Sequence, residues 1–378
     1  MPEAFKEKLN INAIEYLATN IKTAYINFDE LGFVAEASNR LDTLELKARS
    51  NQIKQALFSF LPNKFEEVSA TFKQCLGEPA KADEIIFDAQ PNGLAGWIMM
   101  PVIDYLAQFA VEHHPDKFQA GLELMHACTK RFSAEFAIRK FLLDRPEQTL
   151  AVLIKWCDDI DPHVRRLASE GTRPYLPWGV NLKLFAKRPE LILPILEKLK
   201  DDESEYVRRS VANSLNDIAK DHPDLIAELA KKWWQPKNKP RQKLIKHACR
   251  TLLKNGHPGV LACFGYPPTS GLNISLSLSN TEVAIGESLS MQLTIHNQLT
   301  LSQNLLIDYV VFHQKANRQL TPKVFKWTSC GIHADEQKEW YKQHSFKIVT
   351  TRKYYIGLHR IDVLVNGRVE ASADFQLV

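Results

Sequence analysis

Three carboxylates and one indole carry the chemistry legible in this sequence: Glu135, Glu170, Asp217 and Trp178. Glu170 closes the phrase Pro162-His163-Val164-Arg165-Arg166-Leu167-Ala168-Ser169-Glu170. A near-copy, Glu205-Tyr206-Val207-Arg208-Arg209-Ser210-Val211-Ala212-Asn213, begins 43 positions later and leads to Asp217. Each phrase reads as the start of a helix, and repetition at this period signals stacked helical units. Arg166 and Glu170 stand four apart, as do Arg209, Asn213 and Asp217, so each set projects from one helical stripe. Glu135 falls inside a further predicted helix, Phe132 to Leu143. Successive units of a solenoid present equivalent positions on one concave face. The three carboxylates are therefore expected to converge, with Trp178 at the rim, and such a cluster attracts positive charge and can hold water. Taken singly, each residue has a plainer reading. A lone Glu is usually solvated, an i,i+4 Arg pair stabilises a helix by only about 0.2–0.5 kcal/mol, Trp178 can anchor its turn, Asn213 can cap, and Asp217 can pair with Lys220.

Basic residues surround this acidic set. Arg165, Arg166, Arg173, Arg208, Arg209 and Asn213 lie in or beside the repeated phrases, and Lys246, His247 and Arg250 belong to a strongly basic stretch after Lys231. A net charge of +4 identifies no nucleic-acid binder. The local concentration is more telling and predicts a positive groove that tracks a phosphate backbone.

These residues need a scaffold, and apolar periodicity supplies it. From Ile11 to Leu61 apolar positions recur every three or four residues, and helices are predicted at Phe65 to Leu76, Trp97 to Glu112, Phe118 to Phe132, Glu135 to Leu143, Glu147 to Cys157, Pro162 to Glu170, Pro189 to Leu199, Ser204 to Lys220, Pro223 to Trp234 and Pro240 to Lys254. Residues 77–96, with three glycines and two prolines, read as a loop. Helices this short must bury their stripes on neighbours. After the linker Gly265-Tyr266-Pro267-Pro268-Thr269-Ser270-Gly271 the period changes to two, and about seven strands follow, the last two joined by Asn366-Gly367. The expected fold is mostly α: a helical-repeat domain over residues 1–265 and an immunoglobulin-like β-sandwich over residues 272–378. Six cysteines without C-x-x-C pairs suit structural thiols in a reducing cytoplasm. The N-terminal residues lack the apolar segment of a secretory signal, the run from Trp97 to Ala110 is too short to span a bilayer, and no metal cluster or phosphate loop is evident.

The chain resembles the HEAT-like-repeat DNA glycosylases of alkylation repair, specifically the AlkC group. The resemblance rests on Leu44-Glu45-Leu46-Lys47-Ala48-Arg49-Ser50, on Arg131-Phe132-Ser133-Ala134-Glu135-Phe136-Ala137-Ile138-Arg139, on His163 through Pro174, on Leu176-Pro177-Trp178 and on Tyr206 through Pro223. It covers residues 1 to about 265, and the trailing sandwich resembles the domain that many members carry. It implies a monofunctional glycosylase, without cofactor or metal and monomeric, that removes cationic alkylated bases, chiefly 3-methyladenine and 3-methylcytosine, from double-stranded DNA without flipping the nucleotide. The matching site positions are Glu135, Glu170, Trp178 and Asp217. Carboxylates stabilise a developing sugar cation and an indole face attracts it, so Asp217 or Glu170 is expected beside the anomeric carbon, Glu135 by the water or a neighbouring group, and Trp178 against the sugar. The competing expectations are a catalytically silent relative that binds damaged or branched DNA and a scaffold for a protein partner.

Overall fold

The computed structural model describes residues 5–81, 92–349 and 353–378. Residues 82–91 of the expected 77–96 loop lie outside the described residues, as do the first four of the N-terminal segment. The chain divides into two compact units, Met1–Asp221 with Lys237–Ala248, and His222–Pro236 with Cys249–Val378.

The first unit is helical. Its two repeated phrases form the helices Pro162–Gly171 and Glu205–Ile218. Asp161 caps the first by accepting the His163 N–H at 2.8 Å, and Pro162 occupies the first turn, where a missing N–H costs nothing. Val164 and Leu167 on one helix, and Val207, Val211, Leu215 and Ile218 on the other, are buried as the periodicity requires. The two copies lie side by side: the His163 and Tyr206 rings are 5.6 Å apart, and the Ser169 and Ser210 hydroxyls 2.7 Å.

Three expected helices differ in ways that matter. The one expected from Phe132 to Leu143 begins only at Ile138, so Glu135 stands on a turn. Tertiary contacts hold residues 131–137 off the helical course: Arg131 Nε donates to Gly77 O at 2.7 Å, the Arg131 carbonyl accepts from Gly96, and Phe132 packs 5.3 Å from Trp97. The Pro189 to Leu199 helix divides into a 3-10 turn, Pro189–Leu191, and the helix Leu193–Leu199, because Pro194 has no N–H to return to the preceding turn. The Pro240 to Lys254 helix divides into Lys239–Ala248 and Arg250–Lys254, with Cys249 between them at φ −89° and ψ 6°. Short helices at Lys183–Lys187 and Pro258–Cys263 have too few residues for a periodic signal. No helix among the described residues is long and apolar enough to cross a membrane.

The second unit contains the sandwich, built of β1 (Leu272–Leu278), β2 (Glu282–Val283), β3 (Ser288–Asn297), β4 (Gln303–Gln314), β5 (Leu320–Ile332), β6 (Gln337–Ser345), β7 (Gly357–Val365) and β8 (Arg368–Leu377). One sheet runs β1-β3-β6 and the other β2-β8-β7-β4-β5. The two-residue β2 is the strand that sequence alternation does not reveal. Leu289, Met291, Leu293 and Ile295 alternate inward on β3, and Ile361, Val363 and Val365 on β7 share the same core.

Asn366 and Gly367 turn the β7–β8 hairpin with φ of 46° and 81°, the doubly positive pair that two-residue hairpin turns favour. Asn366 also clamps the tip: its Nδ2 donates to Pro267 O at 2.7 Å and to Asn304 O at 2.9 Å, while its Oδ1 accepts from Leu306 N at 2.7 Å. Gly367 meets Gly256, itself at φ 69°, so closely that a Cβ on Gly367 would stand 2.7 Å from the Gly256 Cα. Gly367→Ala is expected to destabilise this unit by about 1–3 kcal/mol, through left-handed backbone strain and backbone overlap. Denaturant unfolding of wild type and variant measures this, and an unchanged midpoint would reject the close approach.

Candidate functional site

Six charged side chains of the first unit form a chain of alternating sign. Arg166 Nη1 lies 2.7 Å from Glu135 Oε2, and Arg166 Nη2 lies 3.5 Å from Glu170 Oε1. Arg173 Nη1 donates to the same Glu170 oxygen at 2.6 Å, and Arg173 Nε donates to Asp217 Oδ2 at 2.9 Å. Lys220 Nζ, half-exposed, closes the row 3.0 Å from Asp217 Oδ1. Ser133 Oγ donates to Glu135 Oε2 at 2.8 Å and accepts from Arg166 Nη1 at 3.0 Å, while the Tyr206 ring lies 4.8 Å beneath the Arg166 guanidinium. Three of the four expected site residues thus meet through two arginines.

Burial sets the electrostatics. Glu170 and Asp217 are 4% and 2% exposed, whereas Glu135 keeps a partly open side chain. For Glu170, burial pushes the carboxyl pKa up, but Arg166 and Arg173 more than offset it and hold the group below the ordinary carboxylate range. Burial works against the charge on Arg166 and Arg173 as well, and their carboxylate neighbours outweigh it, so both guanidinium pKa values rise. Glu170 is consequently an anion near neutral pH and no proton donor. Among the described residues no hydrogen bond reaches its buried Oε2, although the Ser210 hydroxyl is near enough to help hold the pKa down, and this oxygen is a candidate acceptor.

The loop after Gly171 carries Arg173 and Trp178, and Arg139 holds it. Arg139 is 1% exposed and, among the described residues, donates only to backbone carbonyls: Nη1 to Gly171 O at 2.8 Å and to Arg173 O at 2.9 Å, Nε to Val180 O at 2.7 Å. Burial, and then the Arg173 charge, lower its pKa to about 10. Trp178 does not pack into its turn. It sits in the left-handed region at φ 66°, its carbonyl accepts from Lys47 Nζ at 2.8 Å, and it is 61% exposed. A bulky residue in that conformation is strained and persists because the surroundings over-determine it.

The residues expected to face phosphate separate into two groups. Arg165 is turned inward: its Nε and Nη2 grip Asp202 at 2.7 and 2.9 Å, and its Nη1 donates to the Asp159 and Ile160 carbonyls. Arg208 donates to the Asp202 and Glu203 carbonyls, and Arg173 lies inside the carboxylate row. Each of these three therefore has carbonyl or carboxylate partners within the protein, the kind of acceptor that a guanidinium meets well. Arg166 likewise belongs to the row. Arg209 and Lys246 are exposed, Asn213 Oδ1 meets His247 Nε2 at 2.8 Å, and Arg250 belongs to the second unit. Sequence reasoning did not single out Ser133, Arg139 or Tyr206. Ser133 and Arg139 sit in the same phrase as Glu135, but nothing in spacing shows that Arg139 reaches a loop more than thirty residues onward.

Residues 123–252 match the family model described as DNA alkylation repair enzyme, and residues 273–378 match that described as uncharacterised protein YhaZ, C-terminal Ig-like domain. The uncharacterized protein YhaZ of Bacillus subtilis is 38% identical, over 98% of this chain and 99% of that protein. Among solved structures, the alkylpurine DNA glycosylase AlkC of Pseudomonas fluorescens, bound to DNA containing an abasic site analog, superposes with a TM-score of 0.83 at 32% identity, covering 100% of both chains.

Arg173→Met leaves two buried carboxylates short of their shared cation, and it is expected to cost about 3–5 kcal/mol of stability in denaturant unfolding. A loss below about 1 kcal/mol would show that the two carboxylates do not depend on Arg173. Because the Glu170 pKa is depressed from its ordinary 4.5, its contribution is complete above that pH and is lost as pH falls through the lower folded-state value. Stability measured against pH is expected to decline more shallowly below 4.5 in Glu170→Gln than in wild type.

Proposed function

Because this chain belongs to the AlkC-type family of DNA alkylation repair enzymes, we propose that it is a monofunctional DNA glycosylase that hydrolyses the N-glycosidic bond of cationic alkylated bases, 3-methyladenine and 3-methylcytosine, without flipping the nucleotide. The observation that carries this reading is the Glu135–Arg166–Glu170–Arg173–Asp217 row, whose three carboxylates face two arginines. Lys220 brings the row to neutrality, but it is half-exposed, so a DNA phosphate competes for it. Once Lys220 is drawn away the row has a net charge of −1, and Asp217 Oδ1 is bared.

That charge suits the reaction. An N-alkylated base is positive before cleavage, so it leaves without a strong general acid, and the transition state moves the positive charge to the deoxyribose, as in glycoside cleavage generally. Glu170 and Asp217, fixed on either side of Arg173, stabilise the sugar cation from preorganised positions. Glu135, oriented by Ser133 and Arg166 and less covered than the other two, holds the attacking water. Trp178 presents its indole face to the sugar, where a cation is attracted to the ring. Arg209 and Lys246, both exposed, neutralise phosphates.

Release of free 3-methyladenine from methylated duplex DNA tests the chemistry. Single-turnover rates are expected to fall about 10²–10³-fold in Glu135→Gln, Glu170→Gln and Asp217→Asn, the scale of removing one preorganised electrostatic group. Wild type that binds the duplex and releases nothing would make this a silent binder of damaged DNA. Changing Arg209 or Lys246 to Ala is expected to lower the slope of log affinity against log salt by about one each. Slopes equal to wild type would remove those residues from the phosphate contact.

A further inference from the structure

Next to the carboxylate row lies a cavity of about 350 Å³ that the proposed chemistry does not use. Ser133 lines the cavity and also donates to Glu135, so the cavity adjoins the row at that carboxylate, and Trp178 forms part of its wall. Its walls are the apolar faces of Met100, Ile103, Phe132, Phe136 and Leu143. The volume is that of roughly ten waters, which suits one bicyclic base rather than a whole nucleotide. Flat aromatic walls hold bases by stacking, whatever their identity.

The charge of the lining decides which form of base fits. Lys47, Arg139 and Lys140 are set against one carboxylate, Asp104, which is itself neutralised by Lys54 at 2.9 Å and approached by Lys140 at 3.7 Å. The cavity is therefore positive, opposite in sign to the row once Lys220 has left. As the C1′–N bond breaks, its electron pair stays on the departing nitrogen and the base loses its positive charge, while water adds to C1′ and gives one proton to solvent. The base is cationic before cleavage and neutral after it.

We propose that this cavity is a product pocket, which rejects the cationic alkylated base and receives the neutral base once it is free. This rests on the glycosylase reading for the origin of its ligand. The sign of the lining makes the transfer one-way, because the charged base is held by the carboxylates and the neutral one is no longer attracted to them.

Titration calorimetry of the full-length chain with free 3-methyladenine tests the pocket. Saturable binding of one molecule per chain is expected, together with binding at least about tenfold weaker for N-methylquinolinium, a bicyclic ion of fixed positive charge. Leu143→Trp and Val180→Trp add bulk at lining positions whose side chains are 56% and 64% exposed, so the fold tolerates them. Each is expected to weaken 3-methyladenine binding at least about tenfold, with single-turnover release within about twofold of wild type. Equal binding of the neutral and cationic probes, or binding unmoved in both variants, overturns the proposal. Adding duplex DNA with an abasic site separates the sources: simultaneous binding supports a product pocket, whereas displacement of 3-methyladenine shows that the DNA strand fills the cavity and overturns it. Failure of the glycosylase reading appears instead as absent base release, whatever the calorimetry gives.

Discussion

One guanidinium between two helix ends governs this structure. Glu170 and Asp217 both stand in the last turn of their helices, where exposed carbonyls already concentrate negative charge and a carboxylate is disfavoured. Both are also nearly removed from water, which is costly for an ion without a partner. Arg173 offsets the two problems at once, by donating Nη1 to one carboxylate and Nε to the other. A planar donor of fixed geometry does this where a lysine ammonium would not, since two acceptors must be met along two set directions. The packing of the two repeated helices and the ionisation of their carboxylates therefore depend on a residue that belongs to neither helix.

Arg139 extends this arrangement outward. It gives its hydrogen bonds to the Gly171, Arg173 and Val180 carbonyls, which fastens both ends of the loop that contains Arg173 and Trp178. With the loop fixed, Trp178 can hold a left-handed backbone and leave its indole in solvent. The arginines of this unit thus form an inner set, Arg139, Arg165, Arg166 and Arg173, that shapes the site, while Arg209 remains on the surface. An arginine-rich phrase is no measure of an arginine-rich surface, because a long side chain with five donors serves equally well as an internal brace.

In the sandwich, strand alternation and turn chemistry agree. The inward positions of β3 and β7 fill one core, and Asn366-Gly367 supplies the positive φ pair that closes the hairpin. The contact between Gly367 and Gly256 ties that turn to the end of the preceding helical segment within the same unit. Neither glycine reveals this in the sequence, since a glycine required by its own turn looks the same as one required by a neighbour.

Periodicity and residue type were enough to read the architecture and to pick out the charged residues. Periods of 3.6 and 2 report which face of each segment must be buried, and Val207, Val211, Leu215 and Ile218 are buried as that pattern demands. The sequence also showed that Glu170 and Asp217 belong to equivalent helices, because a repeated phrase repeats its geometry. Tertiary contacts alone put Glu135 on a turn rather than a helix, turn Arg165 inward, and carry Arg139 across to the Trp178 loop. The physical reason is common to all three. Local periodicity encodes the direction of a side chain relative to its own helix, whereas the partner of a long charged side chain is set by carbonyls and carboxylates from segments thirty to forty residues away, such as Asp202 for Arg165 and Val180 for Arg139.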